Sequence, residues 1–288
     1  MKRKLSCENL IGKIPQESEY DTVIEPPVTL LVGRDGDLLQ KNLGVYLSLS
    51  KEAADMARDV AMAAAYTTGT RTYGLPVTSA VFGTLPKVAI RQNYCRFTRN
   101  SVEQPELLRK SLLFAEVISD LYEKSLPSHF RKHQHISETE VLSEWLMPGT
   151  PFSTINYNLN NAIRYHRDKA NQSGVMSNVI IVRSGVSGGM LVLPEYRVAL
   201  SQTDGAIIIF DGQQVVHGVT PIVYENEESY RCSIVLYTLN GMKDCYPFGE
   251  ELERAKINRT RVEDSFRTND SIKSVTNSIR LIDGRSGK

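Results

Sequence analysis

Short apolar segments separated by turn residues fill the second half of the chain. Pairs such as Asp204-Gly205 and Asp211-Gly212 stand between segments with the apolar, β-branched composition of strands. The predicted strands are Ser153–Leu159, Ile163–Tyr165, Asn178–Arg183, Gly189–Leu193, Tyr196–Leu200, Ala206–Phe210, Gln213–Gly218 and Tyr230–Leu239. Many short strands with frequent turns are typical of a sandwich or jelly roll. We therefore predict an α+β protein with a mainly β core, folded as a double-stranded β-helix.

Helical periodicity is concentrated in the first half of the chain. Ser50 is a predicted N-cap for an alanine-rich helix that ends near Gly69. A second helix is predicted from Gln104 to Lys124, with a proline in its first turn, and both helices should support one sheet. The patterns divide the chain into a polar lead-in (1–27), a single domain (28–249) and a basic tail (250–288). Within the domain, a helical and basic part (50–147) precedes the jelly-roll core (151–240).

Composition limits the class of protein without giving a function. Hydrophobic residues make up 41% and charged residues 23%, as in soluble globular proteins. Lys plus Arg (34) nearly balance Asp plus Glu (33), so the net charge favours no class of partner. No apolar run approaches the ~20 residues that span a bilayer, and the basic start lacks the apolar core of a signal peptide. A soluble intracellular protein without a membrane partner is expected, and its oligomeric state is left open.

The four cysteines are scattered and form no Cys-x-x-Cys pair. They are Cys7, Cys95, Cys232 and Cys245. This spacing predicts neither a zinc site nor a disulfide framework, and it fits a reducing compartment.

Two histidines and one aspartate have the pattern of a metal site. His166 and Asp168 are two residues apart, so on an extended segment both side chains project to the same face. His217 follows far downstream on another predicted strand. Two imidazoles and one carboxylate occupy one face of an Fe(II) ion and leave positions open for a co-substrate and O2. A lone His-x-Asp pair is common by chance, so the pair alone does not establish the site.

A second feature makes the iron site the favoured hypothesis. Arg231 and Ser233 lie at i and i+2 on a strand-like run, so a guanidinium and a hydroxyl share one face. A planar guanidinium binds a carboxylate through two parallel hydrogen bonds, which fits the distal carboxylate of 2-oxoglutarate. Arg231 is the only basic residue between His217 and Lys243. The order of triad and anchor predicts dependence on iron and 2-oxoglutarate.

The segment from residue 71 to residue 100 is basic and contains no acidic residue. Its cations are Arg71, Lys87, Arg91, Arg96 and Arg99, and they alternate with Tyr73, Phe82, Tyr94 and Phe97. Cations mixed with aromatic rings suit phosphate contacts and base stacking. A solvated basic hairpin explains the same composition equally well.

Three histidines lie close together in another basic stretch. His129, His133 and His135 have no acidic or cysteine partner at ligand spacing. We therefore predict a surface cluster that faces phosphate, and no metal site.

Four stretches resemble a known family. IRYHRDKAN, GGMLVLPEYRVAL, DGAIIIFDGQQVVHGVTPI and YRCSIVLYT look like the iron and 2-oxoglutarate dioxygenases. Within these enzymes they are most similar to the TET and JBP branch, which oxidises the 5-methyl group of pyrimidines in DNA. The resemblance extends over roughly Phe82 to Leu239 and is most specific at the His-x-Asp-Lys, Gly-Gly-x-Leu-x-Leu-Pro and His-Gly elements. FGTLPKVAIRQNYCRFT is also similar to the substrate-side region of that branch.

The resemblance implies a role for each matching position. His166, Asp168 and His217 would hold Fe(II), Arg231 with Ser233 would hold 2-oxoglutarate, and Asn156 or Asn158 would contact the other end of 2-oxoglutarate. Substrate contacts would come from Asn171, Tyr237, Arg91, Asn93 and Arg96. An amide at Asn171 can donate to thymine O4 or accept from cytosine N4, so it does not decide the base. Tyr237 fits a core aromatic equally well.

One departure from the family concerns the loop Val223–Ser229, which lengthens the spacing between His217 and Arg231. Arg231 remains the anchor only if this loop bulges out of the core.

The implied reaction couples decarboxylation of 2-oxoglutarate, with O2, to hydroxylation of the substrate. A 5-methylcytosine in DNA would be flipped into the pocket and become 5-hydroxymethylcytosine, with thymine as the other candidate base. Further oxidation to formyl or carboxyl is left open. An oxygenase of the same chemistry that acts on a small molecule, a free nucleobase or a protein side chain remains an alternative. A cupin-like binding module without enzymatic activity is a weaker one.

Overall fold

We analysed a computed structural model of the chain, which describes residues 7–32, 41–70, 76–88 and 92–267. Arg71 and Arg91 of the predicted basic segment, and residues 268–288 of the predicted tail, lie outside the described residues.

Two sheets face each other across the core, as in a jelly roll. The strands are β1 (Thr22–Ile24), β2 (Val28–Val32), β3 (Lys41–Ser48), β4 (Thr67–Thr70), β5 (Pro76–Leu85), β6 (Arg96–Phe97), β7 (Thr154–Leu159), β8 (Ser177–Ser184), β9 (Val186–Gly188), β10 (Leu191–Leu193), β11 (Val198–Leu200), β12 (Ala206–Phe210), β13 (Gly218–Val219), β14 (Ile222–Tyr224) and β15 (Tyr230–Tyr237). The larger sheet has the order β2-β3-β12-β8-β15-β7-β5-β4, with β6 paired to β5. The smaller sheet has the order β1-β11-β10-β13, and β14 pairs with β9. The predicted α+β jelly-roll fold is thereby confirmed.

Helices cover one face of the larger sheet. The helices of the described chain are α1 (Lys51–Ala63), α2 (Arg99–Glu103), α3 (Pro105–Ser125), α4 (Pro127–Glu140) and α5 (Phe248–Arg267), and α1, α3 and α4 supply the apolar side chains on this face. Apolar side chains of α1 and α3, such as Val60 and Ile118, pack against Ile155, Ile180 and Ile234 of the sheet. A second apolar cluster fills the space between the two sheets. The larger sheet therefore separates a helix-covered face from an interior face, where a ligand can enter.

The local sequence signals locate the second predicted helix and six of the eight predicted strands to within about two residues. The first predicted helix ends earlier than expected, because α1 stops at Ala63 and Gly69 lies in the strand β4. The Ser50 hydroxyl accepts a hydrogen bond from the Ala53 amide at 3.2 Å and begins α1 as predicted. The predicted strand Gln213–Gly218 is wrong over most of its length. The Asp211 side chain accepts hydrogen bonds from the Gln213 and Gln214 amides, both at 3.2 Å, and this Asx-type turn holds the segment out of the sheet. The predicted strand Ile163–Tyr165 is also absent, and a single bridge joins His166 to His217 instead.

Both ends of the described chain are more ordered than their composition suggests. The lead-in adds β1 to the smaller sheet, in parallel with β11. Its Glu19 accepts a hydrogen bond from the hydroxyl of buried Tyr165 at 2.8 Å. The tail begins with α5, whose buried Glu251 accepts the backbone amide hydrogens of Cys95 at 3.1 Å and Tyr246 at 2.9 Å. Residues from both the polar lead-in and the basic tail therefore contribute regular structure to the fold.

Cys95 and Cys245 are joined in a disulfide across 150 residues of sequence. The expected absence of disulfide bonding is wrong for these two cysteines, whereas Cys7 and Cys232 are buried and form no disulfide. The separation of 150 residues carries no local spacing signal, which is why the sequence does not indicate the bond.

No helix in the described ranges combines the length and the apolar character needed to cross a membrane.

His133 corrects the predicted surface cluster. It lies on α4, is fully buried, and its Nε2 is 3.1 Å from Thr238 Oγ1. Aromatic rings of Tyr122 and Phe152 contact the imidazole edge. Burial lowers the pKa of His133 to about 3. His133 is thus a neutral core residue, whereas His135 on the same helix is exposed.

Acidification should destabilise the protein through His133. An unfolded histidine has a pKa of about 6.5, so between about pH 6.5 and 3 the unfolded chain binds one proton more than the folded chain. Stability is therefore lost as the pH falls below about 6.5, by up to about 1.4 kcal/mol per pH unit for this group. Urea denaturation of His133→Gln should show a shallower loss than wild type, with His135→Gln as the control. Equal pH slopes for His133→Gln and wild type would contradict the assignment.

Candidate active site

His166, Asp168 and His217 converge on one point. The backbones of His166 and His217 exchange two hydrogen bonds, of 2.9 and 3.0 Å, so the rings lie side by side with centroids 4.3 Å apart. The Nε2 atoms of His166 and His217 are 3.5 and 3.7 Å from Asp168 Oδ1. All three potential ligand atoms lie within 4.8 Å of one another. The three residues that the sequence predicts as metal ligands therefore lie together in the structure.

The protonation states of the two imidazoles suit metal binding. Nδ1 of His166 is 2.8 Å from the Arg164 carbonyl oxygen, and Nδ1 of His217 is 2.9 Å from that of Val215. A carbonyl only accepts, so each Nδ1 carries a proton and each Nε2 faces Asp168. Burial, helped by the neighbouring His166, lowers the pKa of His217 to about 4. His217 is therefore neutral at pH 7, as a metal ligand must be.

A short hydrogen-bond chain orients Asp168. Ser177 Oγ donates to Asp168 Oδ2 at 3.0 Å, and Asn171 Nδ2 donates to Ser177 Oγ at 2.9 Å. Burial alone would raise the pKa of the Asp168 carboxyl, but the imidazoles of His217 and His166 and the Ser177 hydroxyl hold that pKa well below its usual range. Asp168 is therefore an ionised carboxylate. Two imidazoles and this carboxylate form a donor set that fits Fe(II).

Gly212 leaves the space that Asp168 occupies. A Cβ at Gly212 would overlap Asp168 Oδ2 and lie 3.0 Å from its Cγ. Asp168 is tied to this turn, because its amide donates to the Gly212 carbonyl at 3.0 Å.

Gly212→Ala should therefore impair metal binding while the fold survives. The added methyl group must push the carboxylate away from the two imidazoles, and a misplaced ligand typically costs about 10- to 100-fold in metal affinity. Titration of Mn(II) followed by electron paramagnetic resonance measures this loss. Gly69→Ala is the control, because a Cβ at Gly69 meets no atom within 4 Å. Wild-type affinity in Gly212→Ala would show that Asp168 does not bind the ion from this position.

The triad opens into a cavity of about 540 Å³ between the two sheets. Side chains of β7, β8 and β15 line its floor, because alternate residues of those strands face the interior. Arg231 lines the same cavity as His166, Asp168 and His217. The loop between His217 and Arg231 bulges outward as β14, which pairs with β9, so Arg231 keeps its place in the interior.

Arg231 is a buried cation with free donors. Its side chain is 1% exposed, and Nη2 donates to Gln202 Oε1. Nε and Nη1 are buried and have no hydrogen-bond partner among the described residues. Burial and the neighbouring Arg183 lower the pKa of Arg231 to about 10, so the group stays charged at pH 7. A buried guanidinium with unpaired donors fits a carboxylate ligand.

The predicted partners of Arg231 line the same cavity. Ser233 and Tyr237 follow Arg231 at alternate positions of β15, and Asn156 and Asn158 lie on the neighbouring strand β7. The Oδ1 atoms of Asn156 and Asn158 are buried and have no hydrogen-bond partner in the described part of the chain. Polar atoms buried without a partner are costly, so these two suit a polar ligand. Asn171 also lines the cavity, beside Asp168.

The predicted contacts of the basic segment lie elsewhere. Asn93 is exposed and Arg96 is half-buried, with its guanidinium donating to the Pro86 carbonyl at 3.2 Å. Neither residue lines the cavity. Direct contact of Asn93 or Arg96 with a base held at the triad is therefore not supported by their positions, and Arg91 lies outside the described residues.

Several cavity residues were not predicted. Arg164, Lys169 and Gln202 line the cavity, and Ser177 orients Asp168 from its edge. Arg164 and Lys169 flank the His-x-Asp pair in sequence, so their proximity was a usable signal. Gln202 has no such signal, because it lies 29 residues from Arg231 and meets it only in the folded chain. Ser177 is nine residues from Asp168, but nothing in the sequence between them indicates the hydrogen bond.

Comparison with known proteins is consistent with this site. Residues 87–240, more than half of the chain, match the Tet_JBP family model, described as the oxygenase domain of the 2OGFeDO superfamily. The chain is 27% identical over 169 residues to the bifunctional helicase and thymine dioxygenase JBP2 of Leishmania braziliensis. It is 28% identical over 165 residues to the corresponding protein of Trypanosoma brucei brucei. These matches cover 58% and 56% of the chain, and the chain spans about 15% and 14% of those relatives.

A solved structure shares the fold. NgTET1 in complex with 5mC DNA superposes with a TM-score of 0.54 at 15% sequence identity, over 77% of this chain and 83% of that one. The family match carries the assignment, and the structural match supports the jelly-roll fold alone. The chain therefore belongs to the Tet_JBP family of oxygenase domains, within the superfamily of enzymes that use Fe(II), 2-oxoglutarate and O2.

Proposed function

We propose that His166, Asp168 and His217 hold Fe(II) and that Arg231 and Ser233 bind the distal carboxylate of 2-oxoglutarate. The observation that carries this proposal is that the convergent triad and the buried, partly unpaired Arg231 line one cavity. Asn156 and Asn158 are proposed to contact the keto-acid end of 2-oxoglutarate, since both side chains line the cavity and each amide carries an NH2 group that can donate to an oxygen of the keto acid.

When bound, the ion with 2-oxoglutarate and O2 supplies the oxidation of a substrate C–H bond. The residues of the chain orient the reactants: Ser177 holds the Asp168 carboxylate, and two backbone carbonyls fix the imidazole tautomers. Arg231 neutralises the distal carboxylate inside a cavity with an apolar lining of Val179, Leu191 and Phe210. Such a lining excludes water and strengthens the ionic contact.

We infer that the substrate is a 5-methylpyrimidine in DNA, oxidised first to the hydroxymethyl form. The inference is supported by the family and by the thymine dioxygenase activity in the names of the JBP2 relatives. The structurally similar NgTET1 binds 5mC DNA. A base must leave the duplex to reach a cavity between two sheets, at a cost of a few kcal/mol. Asn171 and Tyr237 are proposed to contact the flipped base, because both lie in the cavity wall.

Mass spectrometry of nucleosides tests the substrate. Duplex DNA that contains 5-methylcytosine and thymine is incubated with the protein, Fe(II), 2-oxoglutarate and O2, and Asp168→Asn serves as the inactive control. Hydroxymethyl, formyl or carboxyl pyrimidine in the wild-type reaction alone supports the proposal and identifies the base. Succinate that accumulates without any modified base would overturn the DNA assignment and leave the oxygenase chemistry standing.

Lys169 is expected to contact the DNA backbone. It is exposed and lines the cavity one residue after Asp168. Each phosphate contact contributes about 0.9 to the slope of log K against log salt for duplex DNA. Lys169→Ala should reduce the steepness of that slope by about 0.9, whereas Lys110→Ala on the helix α3 should not change it. Fluorescence anisotropy at several salt concentrations measures the slopes, and equal slopes for Lys169→Ala and wild type would contradict the contact.

A further inference from the structure

Gln202 is a cavity residue with an unusual backbone. It is 1% exposed and its φ angle is +54°, in the left-handed region that a residue with a Cβ seldom adopts. Such a conformation costs free energy and persists only where the surroundings hold it in place. The conformation turns the Gln202 side chain into the cavity that Arg231 lines.

Two contacts hold the backbone of Gln202. Its amide donates to the hydroxyl of buried Tyr46 at 2.8 Å, and its carbonyl accepts from Arg183 Nη1 at 3.1 Å. The Tyr46 hydroxyl is itself 3.1 Å from Ser201 Oγ. The backbone is therefore fixed by groups that do not involve the Gln202 side chain.

The side chain of Gln202 orients the guanidinium of Arg231. Oε1 of Gln202 accepts from Arg231 Nη2. A guanidinium has only donors, so the amide oxygen must face Arg231, and the NH2 group of the same amide is the one left for a ligand. Gly189 closes the other side of Arg231, because a Cβ there would lie 2.7 Å from Cδ and 2.9 Å from Nε. The guanidinium is thus held between Gln202 and the Gly189 backbone.

We propose that Gln202 is a positioning residue that sets the length of the dicarboxylate that Arg231 accepts. Gln202 accepts from Nη2 and so orients the guanidinium, whose free Nη1 is directed to the ligand, and the Gln202 amide NH2 adds a donor to the same carboxylate. Because donors and triad are both held on the rigid frame of the fold, the carboxylate has one position at a fixed distance from the iron ligands. A 2-oxo acid that is one methylene longer cannot place its distal carboxylate at Arg231 and its keto acid at the iron ligands at the same time. This inference rests on the proposed binding of 2-oxoglutarate.

Calorimetry with Mn(II) in place of Fe(II), without O2, measures binding separately from turnover. The ligands are 2-oxoglutarate and the one-methylene-longer 2-oxoadipate. In Gln202→Gly the left-handed backbone is unstrained, so the fold, checked by circular dichroism, should be kept. We expect the Kd for 2-oxoglutarate to rise about tenfold, as for the loss of hydrogen bonds to a charged group. The Kd for 2-oxoadipate should change less, so the selectivity for the shorter acid falls.

The matched control is Arg197→Gly. Arg197 also has a φ angle of +54° and does not line the cavity, so its variant relieves the same backbone strain away from the ligand. It should keep the wild-type Kd for both acids.

Wild-type Kd and selectivity in Gln202→Gly would overturn the inference and leave Gln202 with a backbone role alone. If Gln202→Gly fails to fold, Gln202→Asn replaces it. Asparagine tolerates the left-handed backbone and has a shorter side chain, and the Kd values for 2-oxoglutarate and 2-oxoadipate again decide. Wild-type protein that binds Mn(II) but not 2-oxoglutarate would instead overturn the proposed function, which is a distinguishable failure.

Discussion

Asp168→Asn is expected to abolish 2-oxoglutarate turnover. Asparagine keeps the shape of the side chain and can still accept from Ser177, but it removes the one negative charge among the three ligands. A loss of about 4 kcal/mol in metal-binding free energy corresponds to about a thousandfold in affinity. Succinate formation should fall below detection, and Mn(II) titration should show the loss of the metal. Thermal denaturation should stay close to wild type, because the replacement is isosteric.

Asp120→Asn provides the matched control, since Asp120 is exposed on the helix α3 and lies outside the cavity. It should behave as wild type in both assays. Substantial turnover in Asp168→Asn would remove the iron site from the position proposed for it.

Arg231→Met should change ligand affinity and stability in opposite directions. The guanidinium is fully buried, and the groups that raise its pKa, Cys232 and Tyr224, include no carboxylate. A buried charge without an ionised partner destabilises the ligand-free protein. Replacing buried charges by apolar groups of similar size is often neutral or stabilising by about 1–4 kcal/mol. Removal of the guanidinium should also raise the Kd for 2-oxoglutarate by about a hundredfold, as for the loss of paired charge-assisted hydrogen bonds.

The two effects are measured separately. Urea denaturation without ligand gives the free energy of unfolding, and calorimetry with Mn(II) gives the Kd. Arg183→Met on the neighbouring strand is the comparison. The Arg183 guanidinium donates to the carbonyls of Gly188 and Gln202, so fewer of its N–H donors lack a partner. A variant Arg231→Met that binds 2-oxoglutarate as wild type does would place the anchor elsewhere.

The part of the site that the sequence predicted depends on local geometry. His166 and Asp168 share a face because they are two residues apart, and Arg231, Ser233 and Tyr237 do so for the same reason. Side chains alternate between the two faces of an extended segment whichever strands lie beside it. The jelly roll was predictable on the same ground, since short strands with glycine and aspartate turns limit the architectures that fit.

Other features depend on which distant segments meet. Gln202 reaches Arg231 only because the segment that follows β11 of the smaller sheet lies against β15 of the larger sheet. The pairing of Cys95 with Cys245 has the same character. His133 was placed on the surface because the surrounding FRKHQH is basic, although the helical period turns His133 inward while His135 stays exposed. The composition of a helix describes all of its faces together, whereas the burial of one side chain depends on the face on which it lies.

The position of β15 has a consequence for how the protein is made. Among the strands that the structure describes, β15 is the last of the larger sheet to be synthesised, yet it lies between β8 and β7. Until residue 237 leaves the ribosome, both neighbours present unpaired edges, and neither half of the sheet is closed. Open strand edges are templates for aggregation, and pairings between distant segments form slowly. A chain interrupted before β15 therefore exposes the edges of β8 and β7 that this strand covers, and we expect such a chain to aggregate.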